Sequence, residues 1–327
     1  MSHILAIDIG GSKIAAALVD EAGRLSHRRQ CPTLASQGAE AILGRVIRLA
    51  AEVITAAWAD GVRPVAVGVG TGGQVDPHDG HIIYATPLLP GWTGLPLKAR
   101  LEAALGFPVA VDNDVNVAGL GEATWGAGRG LRHLLCLAVG TGIGGAILLD
   151  GQLYHGALGA AGALGHISID AINGRPCNCG GVGCVETYAA GTAIVADWMK
   201  LVSLEKARDW LGKMPEKVRV EDLTTFLGRE DGAGRSAYQA IHQAGRFLGY
   251  AVATLLHAFN PDAVVIGGGV AQVGEPFFSG IRQAVAERAM PSVRGTPILP
   301  AALGADAALV GAAVLAQQAS LAAHPIP

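Results

Sequence analysis

Apolar residues fall into short blocks that close on glycine, and these blocks alternate with longer stretches of helical spacing. "ILAIDIGG" and "KIAAALVD" predict two short strands joined by a Gly-Gly turn, and "GRLSHRRQ" adds a third, so the chain opens as a meander. From Ser36, read as an N-cap, Ile42, Val46, Leu49 and Val53 recur at helical spacing and predict a helix ending near Trp58 and Gly61 that covers the meander. "VRPVAVGVGTGG" reads as another buried strand, "LPLKARLEAALG" as a helix closed by Gly106, and "FPVAVDNDVNVAGLGEATWG" as a strand, a polar tip and a helix beginning near Val115. The opening pattern recurs in altered form about 130 residues later in "HLLCLAVGTGIGGAILLDGQLY", which implies two related halves. Helices follow from about Cys184 to Lys200 and from Ser236 to Phe259, separated by a charged, less regular piece between about Ser203 and Gly234. "NPDAVVIGGGV" supplies a last buried strand, "GADAALVGAAVLAQQAS" a terminal helix, and "LAAHPIP" a loose tail.

No low-complexity linker divides the halves, which places the boundary in the polar tip near Asp114. The expected division is an N-terminal α/β domain over residues 1–114 and a C-terminal α/β domain over 115–327. The helix near 305–320 is expected to pack back on the first domain, and the cleft between the two is the natural place for a ligand. A length of 327 residues agrees with two domains, or one large α/β domain with an interrupted second. Half the residues are apolar, only 5% are aromatic and 47 are glycine, a composition suited to tight strand-to-loop transitions and close-packed Ala/Gly helices. A formal charge of −3 gives no electrostatic footprint for nucleic acid or an anionic membrane, so neither is an expected partner. The N-terminus lacks a basic leader and no apolar run approaches a membrane span, which points to a cytoplasmic protein.

Three stretches carry candidate chemistry. The first is Ala6, Ile7, Asp8, Ile9, Gly10, Gly11, Ser12 and Lys13, a strand running into glycines whose backbone N–H groups can approach an anion, with Asp8 placed to hold a hydrated Mg²⁺. Alone it reads equally well as a β-hairpin turn. Its weight rises with the second copy, Val139, Gly140, Thr141, Gly142, Ile143, Gly144, Gly145 and Ala146, because two glycine hairpins can pinch a polyphosphate between them. Gly268 and Gly269, again glycines after a strand, can let an adenine ring lie against backbone. The second stretch is "VDNDVN", where one of Asp112, Asn113 and Asp114 is expected to cap the helix and a carboxylate at the strand end can accept a proton from an attacking hydroxyl. The third is Cys177-x-Cys179-x₄-Cys184 with His166 upstream, the Cys₃His set of a closed, structural tetrahedral zinc site. Cys31 and Cys136 stand singly beside apolar runs and read as inert core thiols.

"AIDIGGSKIAAAL", "VDNDVNVAGLGEA", "VGTGIGGA", "GHISID…CNCGGVGCVE" and "GADAALVGAA", in this order over essentially the whole chain, resemble the ROK family of sugar kinases and repressors. The resemblance implies an α/β, actin-like, hexokinase-like ATPase fold of two domains that close over ATP with Mg²⁺ and a hexose, usually as a homodimer. Repressors of the family carry a helix-turn-helix before the first phosphate motif, which begins at Asp8 in this sequence, so the kinase branch is favoured. By the same resemblance Asp114 matches the catalytic base and Asn113 a residue that hydrogen-bonds the sugar. His166 matches a histidine that both ligates zinc and touches the sugar, Glu186 a carboxylate that binds sugar hydroxyls, and Gly72 and Gly73 of "TGGQVD" the loop closing the pocket's other wall. Two positions depart from the pattern. Ala163 stands where sugar-phosphorylating members have the Glu of Glu-x-Gly-His, and Leu88 where many hexose kinases of the family have Asn. Loss of a hydroxyl partner disfavours glucose, and the space left by a methyl-sized residue suits a 2-acetamido group. The sequence is in this respect similar to bacterial N-acetylmannosamine kinases, which implies phosphorylation of the 6-hydroxyl of N-acetylmannosamine in sialic acid catabolism. A glucokinase, an N-acetylglucosamine kinase and a non-catalytic sugar-sensing regulator are the alternatives.

Overall fold

The computed structural model describes residues 2–323. In chain order it has β1 (His3–Ile9), β2 (Lys13–Val19), β3 (Leu25–Pro32), α1 (Ala39–Ala59), β4 (Pro64–Thr71), β5 (Gln74–Val75), β6 (Ile82–Tyr84), α2 (Leu97–Leu105), β7 (Val109–Asn113) and α3 (Asp114–Trp125). There follow β8 (Leu134–Val139), β9 (Ile143–Leu149), β10 (Gln152–Leu153), α4 (Glu186–Ala189), α5 (Gly191–Leu201), α6 (Leu204–Leu211), α7 (Val220–Thr224), α8 (Gly232–Phe259), β11 (Ala263–Gly267), α9 (Glu275–Arg288), β12 (Ile298–Pro300) and α10 (Ala307–Ala323). Of the tail read as loose, Leu321–Ala323 belong to α10 and the remainder lies outside the described residues. No helix among the described residues is long and apolar enough to cross a membrane.

The chain divides into two compact units. One runs through Arg132, takes in Ala146–Gly162 and resumes at Ala302; the other comprises His133–Gly145 and Ala163–Ala301. The division falls after Arg132 instead of at 114–115, because α3 packs against α10 and so stays with the first sheet.

That sheet has the order β3-β2-β1-β4-β7, with β1, β4 and β7 parallel. Its two faces bury different residues by strict alternation. Leu5, Ile7 and Ile9 of β1 and Ile14, Ala16 and Leu18 of β2 pack with Ile42, Val46, Leu49 and Val53 of α1. Ile4, Ala6, Ala15 and Ala17 face the other way, onto Leu309, Ala312, Ala313 and Ala316 of α10. The second face is built of small residues because α10 lies very close. A Cβ on Gly68 would sit 1.8 Å from the Ala312 carbonyl oxygen. Register fixes the functional edge: Asp8 pairs with Gly70 and Gly70 with Asp112, and one residue further Ile9, Thr71 and Asn113 are level. Gly10–Gly11, Gly72–Gly73 and Asp114 therefore all leave the sheet together, at the carboxyl ends of its parallel strands, where open α/β sheets bind ligands.

The second sheet has the order β10-β9-β8-β11-β12, with β8, β11 and β12 parallel. Gly267 pairs with Ala138, so the glycines after β11 emerge beside Val139 and Gly140 after β8.

Several local expectations fail for physical reasons. Ser36 is not a cap: it lies in a 3₁₀ turn, and α1 starts after Gly38, whose φ of 82° turns the chain without a side-chain bond. The helix expected over 184–200 is two, broken at Ala190 (ψ 159°), where the Gly191 N–H bonds to the Gly140 carbonyl at 2.8 Å. The charged piece over 203–234 contains α6 and α7, and α8 begins at Gly232 under an Asp231 cap rather than at Ser236.

Candidate active site

In the first unit the Gly10 N–H donates to the Lys13 carbonyl at 3.0 Å and closes the turn between β1 and β2. Leu88 is two-thirds exposed and its Cβ lies 3.6 Å from the place of a Cβ on Gly11, so this departure from the family pattern stands beside the first glycine turn. Gly73 is strained for any other residue: its φ is 107° and a Cβ would meet the Tyr84 carbonyl oxygen at 2.7 Å. The Asn113 Nδ2 donates to the Gly73 carbonyl at 2.8 Å, which ties the two strand ends together.

The "DND" tip resolves into three roles. Asn113 is the N-cap of α3, its Oδ1 accepting from the N–H groups of Val115 (2.9 Å) and Asn116 (3.2 Å). With one amide proton given to Gly73, Asn113 keeps one for a ligand. Asp112 is 3% exposed, and its carboxylate accepts from the Asn113 N–H at 2.7 Å, Asn116 Nδ2 at 2.8 Å and His155 Nε2 at 2.6 Å. Asp114 opens α3, and its Oδ1 accepts the adjacent Val115 N–H at 2.9 Å. Burial raises the Asp114 carboxyl above its ordinary range. Burial, and after it the Asp114 charge, push the Asp8 carboxyl up to about 6, against the pull of Lys13 and Arg28. Two carboxylates that resist sharing negative charge form a place for a cation and for a proton acceptor.

The second unit holds the other glycine turns and the cysteine cluster. Gly268 has φ 89°, and a Cβ there would lie 2.3 Å from the Val139 carbonyl oxygen, so the close approach of the two strand ends depends on that glycine. Between these turns and α5 and α7 lies a cavity of about 660 Å³. Gly140, Thr141 and Gly269, three of the residues read as nucleotide candidates, line it. So do Gly191, Thr192, Val195 and Met199 of α5 and Val218, Arg219, Val220 and Glu221 at the start of α7, which sequence reasoning missed. The signal available for them was the Val218–Val220 alternation inside a stretch that otherwise reads as charged and irregular. Glu186 Oε2 accepts the Ile143 N–H at 2.7 Å and lies 2.5 Å from the place of a Cβ on Gly142, so this carboxylate buttresses the second glycine turn.

His166 Nδ1 is 3.6 Å from Cys177 Sγ, Cys179 Sγ is 3.6 Å from Cys184 Sγ, and the four ligand atoms lie within 4.8 Å of one another. The edge of a zinc–thiolate tetrahedron is about 3.8 Å, so these atoms fit one. None of the five cysteines forms a disulfide; Cys136 is buried and Cys31 half-buried. Burial and the neighbouring thiols push Cys184 up to about 12, a crowding that a bound divalent cation relieves. Arg175 ties the cluster to the next two helices: its Nη2 lies 2.9 Å from both Asp197 oxygens on α5, and its guanidinium sits 4.3 Å over the Tyr188 ring of α4. His166 and Ala163 are exposed on the same unit as Glu186, whereas Gly72, Gly73, Asn113 and Asp114 belong to the first unit.

Known proteins are similar to this chain over nearly its whole length. The glucokinase of Halalkalibacterium halodurans is 33% identical over 313 residues, spanning 95% of this chain and 94% of its own. The N-acetylmannosamine kinase of Shigella flexneri is 31% identical over 315 residues, spanning 96% and 98%. The structure of a ROK family glucokinase from Streptomyces griseus, in complex with glucose and AMPPNP, matches with a TM-score of 0.83 at 32% identity, over 97% of this chain and 100% of that one. Its two-sheet α/β fold is the actin-like, hexokinase-like one, and the ROK family model matches residues 4–319, so the chain belongs to the ROK family.

Proposed function

We propose that the protein is an ATP-dependent sugar kinase that phosphorylates the 6-hydroxyl of an N-acetylated hexosamine, N-acetylmannosamine above all, and works as a cytoplasmic homodimer. The observation that carries the kinase reading is the pair of half-buried carboxylates, Asp8 and Asp114, at the carboxyl ends of β1 and β7, both raised by desolvation, the Asp114 charge also acting on Asp8. In this reading Asp114 accepts the proton of the sugar 6-hydroxyl as O6 bonds to the γ-phosphorus and the bond to the β–γ bridging oxygen breaks, releasing ADP. Asp8 would hold Mg²⁺, which would supply positive charge against the phosphates. Gly10, Gly11 and the turns at Gly140–Gly145 give backbone N–H groups to the triphosphate, and the cavity lined by Gly140, Thr192, Val195 and Gly269 takes the nucleoside. Asn113, Gly72, Gly73, His166 and Glu186 bind the acceptor. Zinc on His166, Cys177, Cys179 and Cys184 stiffens the loop that carries His166.

Ala163 favours the acetamido sugar, since it offers no carboxylate to hydroxyls near C1 and C2. The identity with the H. halodurans glucokinase supports a second reading, glucose. ATP consumption with N-acetylmannosamine, N-acetylglucosamine, glucose, mannose and fructose separates them. In the same assay Ala163→Glu is expected to raise the ratio of kcat/KM for glucose over N-acetylmannosamine by roughly 10- to 100-fold, the size of one gained hydrogen bond plus one steric penalty. A flat ratio in a folded, active variant removes the reason for preferring the acetamido sugar. A chain that binds sugar but consumes no ATP is a sensor.

A further inference from the structure

The segment after β10 carries a side chain to which the kinase mechanism gives no role. His155 Nε2 lies 2.6 Å from Asp112 Oδ2, with the histidine side chain one-fifth exposed and the carboxylate 4% exposed. The other Asp112 oxygen takes the N–H of Asn113 and the amide of Asn116. Three donors converge on Asp112 and engage both of its oxygens, so it is committed to holding its neighbours rather than a substrate. Its position is equally informative: it is the last β7 residue before the Asn113 cap and the Asp114 carboxylate, and it bonds to the first turn of α3 through Asn116. His155 is itself held. Its carbonyl accepts the Ala161 N–H at 3.0 Å, closing the turn between them, and the preceding Tyr154 N–H donates to Ile147 at 2.8 Å. Within that turn Gly159 lies against β5, where a Cβ would stand 2.9 Å from the Val75 carbonyl oxygen. The closed turn leads in sequence directly to Ala163 and His166.

We propose that His155 is a positioning residue: through its hydrogen bond with Asp112 it fixes the junction of β7 and α3, and with it the aim of the Asp114 carboxylate and of the free Asn113 amide proton. The inference rests on the kinase reading of Asp114. Removing one partner of a buried, hydrogen-bonded pair leaves the other charge uncompensated, and Asp112 relieves this only by moving, which carries Asn113 and Asp114 with it. Misplacement of a catalytic group by an ångström is costly to the chemical step and leaves binding of a remote nucleoside intact.

Kinetics of wild type, His155→Ala and His155→Gln on the best sugar of the panel test this. His155→Ala is expected to lower kcat at least 10-fold with KM for ATP changed less than 2-fold, and His155→Gln, whose amide can donate from the place of Nε2, to recover most of kcat. A folded His155→Ala enzyme with kcat within 2-fold of wild type overturns the role, as does a glutamine variant no better than the alanine one. Should His155→Ala fail to fold, Asp112→Asn takes its place: a several-fold loss of kcat at unchanged KM for ATP supports the role, and unchanged kcat overturns it. A wild-type protein that phosphorylates no sugar overturns the kinase reading and this inference with it, whereas an active wild type with an equally active alanine variant overturns the inference alone.

Discussion

Asp8 and Asp114 stand where burial weakens the hydration of their charge, and that cost is what makes each of them useful. Asp114→Asn keeps the shape of the side chain and removes the proton acceptor, so kcat is expected to fall by roughly 10²–10⁴ while sugar affinity, measured by calorimetry, stays within a few-fold. Near-wild-type turnover in that variant would show that water or another group takes the proton. Asp8 gives a prediction about stability. Its carboxyl is raised from 3.8 to about 6, so its ionised form is disfavoured in the fold: the stability it contributes is present below pH 4 and is lost as pH rises to 6. Asp8→Asn should therefore leave Tm unchanged at pH 4, raise it by several degrees above pH 6, and abolish turnover at every pH. A constant Tm difference across that range would mean that the substitution acts through packing instead of charge. Residue types that announce their chemistry, such as the cysteine cluster and the "DND" tip, were legible in the sequence. The Asp112–His155 pair was not, because 43 residues separate the partners and neither stands in a motif that points to the other.

At the scale of elements, strands were the most readable parts, since buried runs such as "ILAIDIGG" end in glycines that close a turn. Helices were missed where their buried stripe is short or starts abruptly. In α6 only Ala207 is buried, so no period emerges, and α9 announces itself chiefly by Pro276 in its first turn and the spacing of Phe277, Ile281, Ala284 and Val285. Glycines inside helices look alike in sequence and differ completely in their surroundings. Gly44 lies in α1 with nothing within 4 Å of the place of a Cβ, whereas a Cβ on Gly311 in α10 would fall 1.5 Å from the Val117 carbonyl oxygen of α3. The same gain in helix propensity applies to both, so packing decides the sign. Gly44→Ala is expected to stabilise by about 0.5–1 kcal/mol. Gly311→Ala is expected to cost about 3 kcal/mol or more, because neither backbone can retreat without lifting α10 off the first sheet. Denaturant midpoints of the two variants measure this, and equal shifts would mean that α10 sits further from α3 than the structure places it.

For the whole molecule, the chain passes between its two units several times, and a linear reading has no means of seeing that residues 146–162 and the final helix belong with the first 132. A related blindness hid most walls of the cavity proposed for the nucleotide, which come from four separate stretches of the second unit: the turn after β8, the turn after β11, α5 and the segment leading into α7. That separation makes zinc removal informative. The proposed ligands His166, Cys177, Cys179 and Cys184 share no residue with the cavity walls, so loss of the ion acts directly on the loop bearing His166 and Ala163. Purified protein is expected to carry about one zinc per chain, and Cys177→Ser to lose it. Stripping the metal should then weaken sugar binding more than 10-fold, measured by calorimetry, while affinity for a non-hydrolysable ATP analogue stays within a few-fold. A competing route runs through Arg175, which reaches from the cysteine loop to Asp197 on α5, and α5 lines the cavity with Thr192 and Val195. If the ion held the unit together by that route, both affinities would fall in parallel. Arg175→Ala separates the cases, because with the metal retained it should reproduce any loss of nucleotide affinity that passes through α5 and leave sugar binding to the zinc.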